Sequence, residues 1–197
     1  MVKATELLKK NLATSIAVKR ELLDSENQQI IFDQAANLIA ERYKSGGRLY
    51  IAGNGGSAAD AQHLAAEFVC RLSKDRASLP AESLVVDSSV LTAIGNDYGF
   101  EHVFARQVEG KMTPKDVFLG ITTSGKSLNI LRALDMCKKM GIPTVVFSGG
   151  NGGHARDRAD FCVVAPGDLT SSIQELHIVL AHTLCEYVET SILGENP

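Results

Sequence analysis

The chain has 197 residues, 45% of them hydrophobic and 22% charged, with a formal net charge of -3. This is the make-up of one soluble globular domain, 1–197, able to bury a full core, and the scattered lysines and arginines exclude a basic surface for nucleic acid or anionic membrane. Cys70, Cys137, Cys162 and Cys185 form no Cys-x-x-Cys pair, so the expectation is buried free thiols in a reducing compartment, with neither disulfides nor a thiolate metal site.

The first ten residues carry charges throughout and lack the apolar centre of a signal peptide. No apolar run reaches the roughly 18 residues needed to span a bilayer, so a cytoplasmic protein without a membrane partner is expected. Over 1–45 there is no strand pattern, and Ile30, Ile31, Phe32, Ala35, Ala36, Leu38 and Ile39 recur at helical spacing. The pattern predicts helices over 3–24 and 26–45, the second stopped by Gly46-Gly47. Short apolar runs follow at 48–53, 83–87, 116–122, 143–148 and 161–165, separated by helical stretches. Alternating strand and helix implies a parallel sheet covered on both faces, an α/β core over 46–197 behind the N-terminal helices. A last helix is predicted over 171–193, with Ser171-x-x-Gln174 as a capping box.

Ligands of such sheets bind beyond the carboxyl ends of the strands. Three strands end in glycine-rich or polar turns: Gly53 to Ser57, Thr122 to Ser127, and Ser148 to Gly153. The first turn, Gly53-Asn54-Gly55-Gly56-Ser57-Ala58, fits a loose dinucleotide pattern, but Asp87 lies too far on to be the ribose carboxylate that pattern requires. One reading is a tight turn with Ser57 capping the helix; the other is backbone N–H groups and Ser57 receiving an anion or sugar hydroxyls.

Gly120-Ile121-Thr122-Thr123-Ser124-Gly125-Lys126-Ser127 matches the P-loop pattern. Gly120, however, sits inside an apolar run, and neither later strand ends in a magnesium-holding acid. Thr122, Thr123, Ser124 and Ser127 at a helix start suit a phosphate monoester without a nucleotide. Asn96 and Asp97, expected in a turn after a short helix, suit sugar hydroxyls.

His63 and Glu67 are four apart on the helix after the first turn and share a face. Gln174 and His182 lie two turns apart on the last helix, with His177 on the neighbouring stripe. His63, Glu67, Gln174 and His182 make a four-donor N/O set for zinc or a similar ion, provided the two helices meet. The same groups serve equally as acid and base without metal. His102, His154 and His177 read as structural or surface histidines.

The strings Gly53-Asn54-Gly55-Gly56-Ser57-Ala58-Ala59-Asp60-Ala61-Gln62-His63, Leu91-Thr92-Ala93-Ile94-Gly95-Asn96-Asp97-Tyr98-Gly99-Phe100, Thr123-Ser124-Gly125-Lys126-Ser127 and Ile173-Gln174-Glu175-Leu176-His177 resemble the phosphoheptose (sedoheptulose 7-phosphate) isomerase family nearly end to end. The resemblance implies a sugar isomerase (SIS) fold, a three-layer α/β/α sandwich around a five-stranded parallel sheet. It implies a homotetramer with active sites at subunit interfaces. It also implies interconversion of sedoheptulose 7-phosphate and glycero-manno-heptose 7-phosphate, toward nucleotide-heptoses for lipopolysaccharide, capsule or S-layer glycans.

By position, the resemblance makes Glu67 the base between C1 and C2 and His182 the opposing acid/base. It makes His63, Glu67, Gln174 and His182 the ligands of one zinc ion. Asn54, Gly55, Gly56, Ser57, Glu67, Arg71, Asn96, Asp97, Thr122, Thr123, Ser124, Ser127 and Gln174 would hold the sugar phosphate. The chain departs from the family at Ser171-Ser172, where an Asp or Thr followed by Arg is usual, and this leaves the exact substrate open. Replication-initiator-associating proteins share the fold as non-catalytic binders, but typically replace the glutamate at the position of Glu67.

Overall fold

A computed structural model of the chain describes residues 3–193. Helices α1 (Ala4–Leu23) and α2 (Glu26–Lys44) lead into β1 (Leu49–Gly53) and α3 (Gly56–Val69). Then come β2 (Ala81–Ser83), α4 (Ser88–Tyr98), α5 (Ala105–Lys111), β3 (Val117–Thr122) and α6 (Leu128–Met140). The chain closes with β4 (Thr144–Gly149), β5 (Phe161–Ala165) and α7 (Thr170–Leu193). The strands form one sheet of order β2-β1-β3-β4-β5, every neighbouring pair parallel.

Because strand side chains alternate, odd and even positions feed different cores. Leu49, Ile51, Leu119, Ile121, Val145, Phe147 and Val163 face α2, α3 and α7. Tyr50, Ala52, Phe118, Val146 and Cys162 face α5 and α6. This is the expected three-layer α/β/α sandwich. The chain leaves β1 toward one face through α3 and leaves β3 toward the other through α6. The carboxyl ends of β1 and β3 are adjacent, paired at Gly53 and Ile121, and form the crevice where the strand order reverses.

Three local expectations are corrected. The predicted strand at 83–87 is displaced to Ala81–Ser83. Leu84 still donates its N–H to Ile51 O at 2.8 Å, but Asp87 then accepts from Val90 N to cap α4, so the chain has to turn between them. Asn96 and Asp97 lie within α4 itself, in its last turn, and not in a turn beyond it. Helix α7 starts at Thr170, which puts Ser171 inside the helix and removes it as the cap.

Two helices are poorly covered. Of α1 only Ser15 and Val18 are buried, and Leu7, Leu8, Leu12 and Ile16 are each at least half exposed. Helix α4 buries none of its residues. Among the described residues, no helix is long and apolar enough to cross a membrane.

Candidate active site

The turn after β1 needs glycine for two reasons. Gly55 takes φ +56°, a left-handed conformation that a side chain strains, and it forms the cap position of α3. A Cβ on Gly56 would collide with the side-chain amide of Gln174 on α7. Ser57 is a helical residue, only 3% exposed, so it does not cap α3.

The turn after β3 opposes this one. Gly120 is strand residue, as expected, and Ser127 precedes α6. Thr122 Oγ1 and Ser127 Oγ are 3.3 Å apart. Between the two turns lies a cavity of about 220 Å³, lined by Asn54, Gly56, Ser57, Ile121, Thr122, Thr123, Ser127, Thr170 and Gln174. None of these side chains is charged. The first turns of α3 and α6 both open here, and hydroxyls with two helix N-termini suit an anion. Ser124 stands outside the lining, its Oγ accepting from Lys126 N at 3.2 Å.

Asn54 is fixed by a partner that sequence reasoning missed. Its amide exchanges two hydrogen bonds with that of buried Asn129, at 2.9 and 2.8 Å, and Asn129 Oδ1 also accepts from Ile130 N. The available signal was an asparagine in the first turn of a helix, where its side chain bonds backbone better than it propagates helix. The turn at 149–153 acts as a buttress: a Cβ on Gly125 (φ +63°) would strike Gly152 O, so only glycine lets the two loops touch.

Further along the same two helices, α3 and α7 do meet. His63 Nε2 and His182 Nε2 are 3.1 Å apart, and Glu67 Oε1 is 3.2 Å from the first and 3.3 Å from the second. Glu67 is nearly buried, with 11% of its side chain exposed, and its Oε2 is buried without a partner. Asp60, one turn before His63, also has an orphaned oxygen; burial raises its pKa while His63 pulls it the other way.

Three donors around a tetrahedral ion at 2.0–2.1 Å stand about 3.3–3.4 Å apart, so the observed triangle matches a zinc-type donor set in spacing and in chemistry. The unpartnered Glu67 oxygen points the same way, since a buried carboxylate calls for a nearby cation.

Gln174 does not close this triangle within the chain. It lies eight residues before His182, about 12 Å back along α7, and its amide packs on Gly56 at the cavity. Arg71 is exposed, 4.0 Å from Asp75. Asn96 and Asp97 are exposed on α4 and bonded to each other at 2.8 Å. The structure thus gathers Asn54, Gly56, Ser57, Thr122, Thr123, Ser127 and Gln174 in one place, and His63, Glu67 and His182 in another. Gly55 and Ser124 stand beside the cavity without lining it, and Arg71, Asn96 and Asp97 join neither group.

His177, read as structural, is a buried neutral histidine. Its Nε2 bonds Ser148 O at 3.0 Å, and burial lowers its pKa to about 4.

The SIS domain family model matches residues 12–149. A phosphoheptose isomerase of Aneurinibacillus thermoaerophilus is 46% identical over 187 residues, covering 95% of this chain and 94% of that protein. Phosphoheptose isomerase 2 of Campylobacter jejuni is 45% identical, covering 96% and 94%. Among solved structures, the phosphoheptose isomerase of Neisseria gonorrhoeae superposes with a TM-score of 0.89 at 36% identity, over 95% of this chain and all of that one. That of Francisella tularensis reaches 0.91 at 31% identity, over 96% and 100%. The two glycine turns, the sheet order and these relatives agree: the chain belongs to the phosphoheptose isomerase family of SIS-domain proteins.

Proposed function

We propose that this sugar-phosphate isomerase interconverts D-sedoheptulose 7-phosphate and D-glycero-D-manno-heptose 7-phosphate in the cytoplasm, for nucleotide-heptose and cell-surface glycan synthesis. The observation that carries the reading is the Glu67 carboxylate, nearly buried and held against two imidazoles. An aldose–ketose shift passes through an enediol. Glu67 takes the proton from C2 of the aldose and returns it to C1 of the ketose. His182 gives a proton to the carbonyl oxygen and removes one from the neighbouring hydroxyl. Alternatively, His63, Glu67 and His182, with Gln174 as fourth donor, would hold one zinc ion, which would polarise the carbonyl and hydroxyl in place of the proton transfer by His182. The hydroxyls of Thr122, Thr123 and Ser127 and the N–H groups of Gly55 and Gly56 hold the phosphate, and Ser124, outside the cavity lining, takes no part. Asn54, Ser57, Arg71, Asn96, Asp97 and Gln174 hold the sugar.

Distance supports a site shared between copies. From Gly56 at the cavity to Glu67 is eleven residues of α3, about 16 Å of helix axis. An extended seven-carbon phosphate reaches only about 10 Å from phosphorus to C1, at about 1.2 Å per bond. With about 3 Å of contact at each end this only just bridges the gap, so one substrate would have to lie fully extended along α3 to touch the cavity and the Glu67 triangle of the same chain. In a homotetramer with interface sites, the cavity of one copy faces the triangle of another, and Gln174 completes the donor set across the contact. The half-exposed leucines of α1 and the unburied α4 supply apolar surface for that assembly.

Glu67→Gln tests the reading. A fall in kcat of about 10²- to 10⁴-fold is expected, with the oligomer intact by native mass spectrometry. Wild-type turnover of sedoheptulose 7-phosphate in this variant refutes it. Retention of Glu67 favours the enzyme over a non-catalytic partner of a replication initiator.

A further inference from the structure

Glu67 lies in the last turn of α3, two residues before the helix ends at Val69. Helix ends fray, because the final carbonyls have no intrahelical partner. A group that must stay within 3.3 Å of His182 is poorly sited there unless the end is tied down.

The tie is a buried ion pair. Arg76 and Glu189 are each 1% exposed at the side chain, with Arg76 Nε 2.9 Å from Glu189 Oε1. The rest of the guanidinium is spent on carbonyls. Nη2 donates to Glu67 O at 2.9 Å, and Nη1 to Phe68 O at 2.8 Å and Ala77 O at 3.1 Å. The carbonyl of Glu67 itself, an orphan of the helix end, is thereby satisfied, while Phe68 O accepts both from the arginine and from Leu79 N, the latter at 3.1 Å.

Glu189 holds the arginine in place. Its oxygens accept from Leu72 N at 2.9 Å, Ser73 N at 3.3 Å and Ser73 Oγ at 3.1 Å. Burial works against its ionisation, but these bonds outweigh it and hold the carboxyl below its usual range. Glu189 follows His182 by seven residues on α7, nearly the same face and about 10 Å along the axis. Helix α7 therefore grips α3 twice, through His182 at the side chain of Glu67 and through Glu189 and Arg76 at its backbone.

We propose that Arg76, clamped by Glu189, is a positioning residue for the reaction: it caps the end of α3 and fixes Glu67 at its distance from His182. The inference rests on Glu67 being the base. Lysine at this position keeps the charge facing Glu189 but lacks the planar fork that reaches both carbonyls.

Arg76→Lys is therefore the test, in the full-length enzyme with native helix content at the assay temperature. The expected result is kcat reduced about 10- to 100-fold with KM nearly unchanged, since a misplaced reacting group costs turnover more than binding. A variant with wild-type kcat overturns the proposal. Glu67→Gln run beside it separates the two ideas. An active Glu67→Gln removes the base, whereas an inactive one beside a fully active Arg76→Lys removes only the positioning role. Hydrogen exchange on the wild-type protein gives a second measurement that needs no variant. The Cys70 amide, bonded to Ala66 O at 2.8 Å, should be as protected as mid-helix amides. Exchange typical of a frayed end overturns the proposal.

Discussion

The proposed sharing of the site between copies makes a prediction that an intrachain site cannot imitate. Two inactive variants are made, each broken at a different end of the substrate. Glu67→Gln lacks the base but keeps its cavity. Thr123→Asp keeps the base but sets a carboxylate in the cavity wall, where the phosphate would lie. Like charges about 4 Å apart repel by about 4 kcal/mol at an effective dielectric of 20, a loss of about 10³-fold in kcat/KM. The two are co-expressed with different tags, and hybrid oligomers are purified through both tags.

If each site joins the cavity of one copy to the triangle of another, random 1:1 assembly pairs two intact halves in about a quarter of sites. Hybrids should then show about 25% of wild-type kcat, although each parent alone is nearly dead. The axial separation of about 16 Å between Gly56 and Glu67, against a substrate reach of about 10 Å, is what favours this outcome. Hybrids confirmed by native mass spectrometry, yet no more active than their parents, would refute the distance argument and return both halves to one chain.

Two further outcomes follow from buried groups. His177 has its folded pKa depressed from 6.5 to about 4 by burial, so between those values the unfolded chain binds the extra proton and stability falls as pH falls. Roughly 3 kcal/mol is lost across pH 6.5 to 4; in His177→Gln this part of the slope of melting temperature against pH should disappear, and an unchanged slope counts against the assignment. Among the thiols, burial pushes Cys137 and Cys185 up to about 12 and Cys162 up to about 11, while Cys70 alone is exposed. A thiol reagent at pH 8 should modify no more than one cysteine of the native protein and all four after denaturation; rapid reaction of a second thiol would contradict the burial.

The layers were readable because core strands here are short valine- and isoleucine-rich runs between turns, and β1, β3, β4 and β5 lie where those runs do. The miss at β2 has a physical cause. Leu84, Val85 and Val86 look like strand by composition. Leu84 instead ends the ladder by bonding Ile51 O and filling the second core, after which the chain must turn for Asp87 to cap α4. The halves of the site were legible for different reasons. His63 and Glu67 follow from helical spacing alone, and the loops from their glycines and hydroxyls. The meeting of His182 with them, the pairing of Asn54 with Asn129, and Arg76 with Glu189 join residues 75 or more positions apart. No local pattern encodes such pairs. Arg76 in particular reads as one more cation in the polar stretch Ser73-Lys74-Asp75, and only its burial distinguishes it.

The field of helix α3 explains why its two ends are used so differently. Its N-terminus, with unpaired N–H groups, favours the dianionic phosphate, and the uncharged cavity wall at Gly56 and Ser57 adds nothing to oppose it. Its C-terminal turn favours cations. Glu67 is the residue out of place, a carboxylate in the last turn where the dipole disfavours it. The guanidinium of Arg76 on the carbonyl of Glu67 itself offsets this, and a cation held by the His63–Glu67–His182 triangle would add to it. Arg76 thus does two things with one side chain, closing the frayed end and opposing its negative field. The field alone would be restored by any cation at that position, and the closure only by a planar fork. Arg76→Lys separates these two contributions, and the loss in kcat measures the closure.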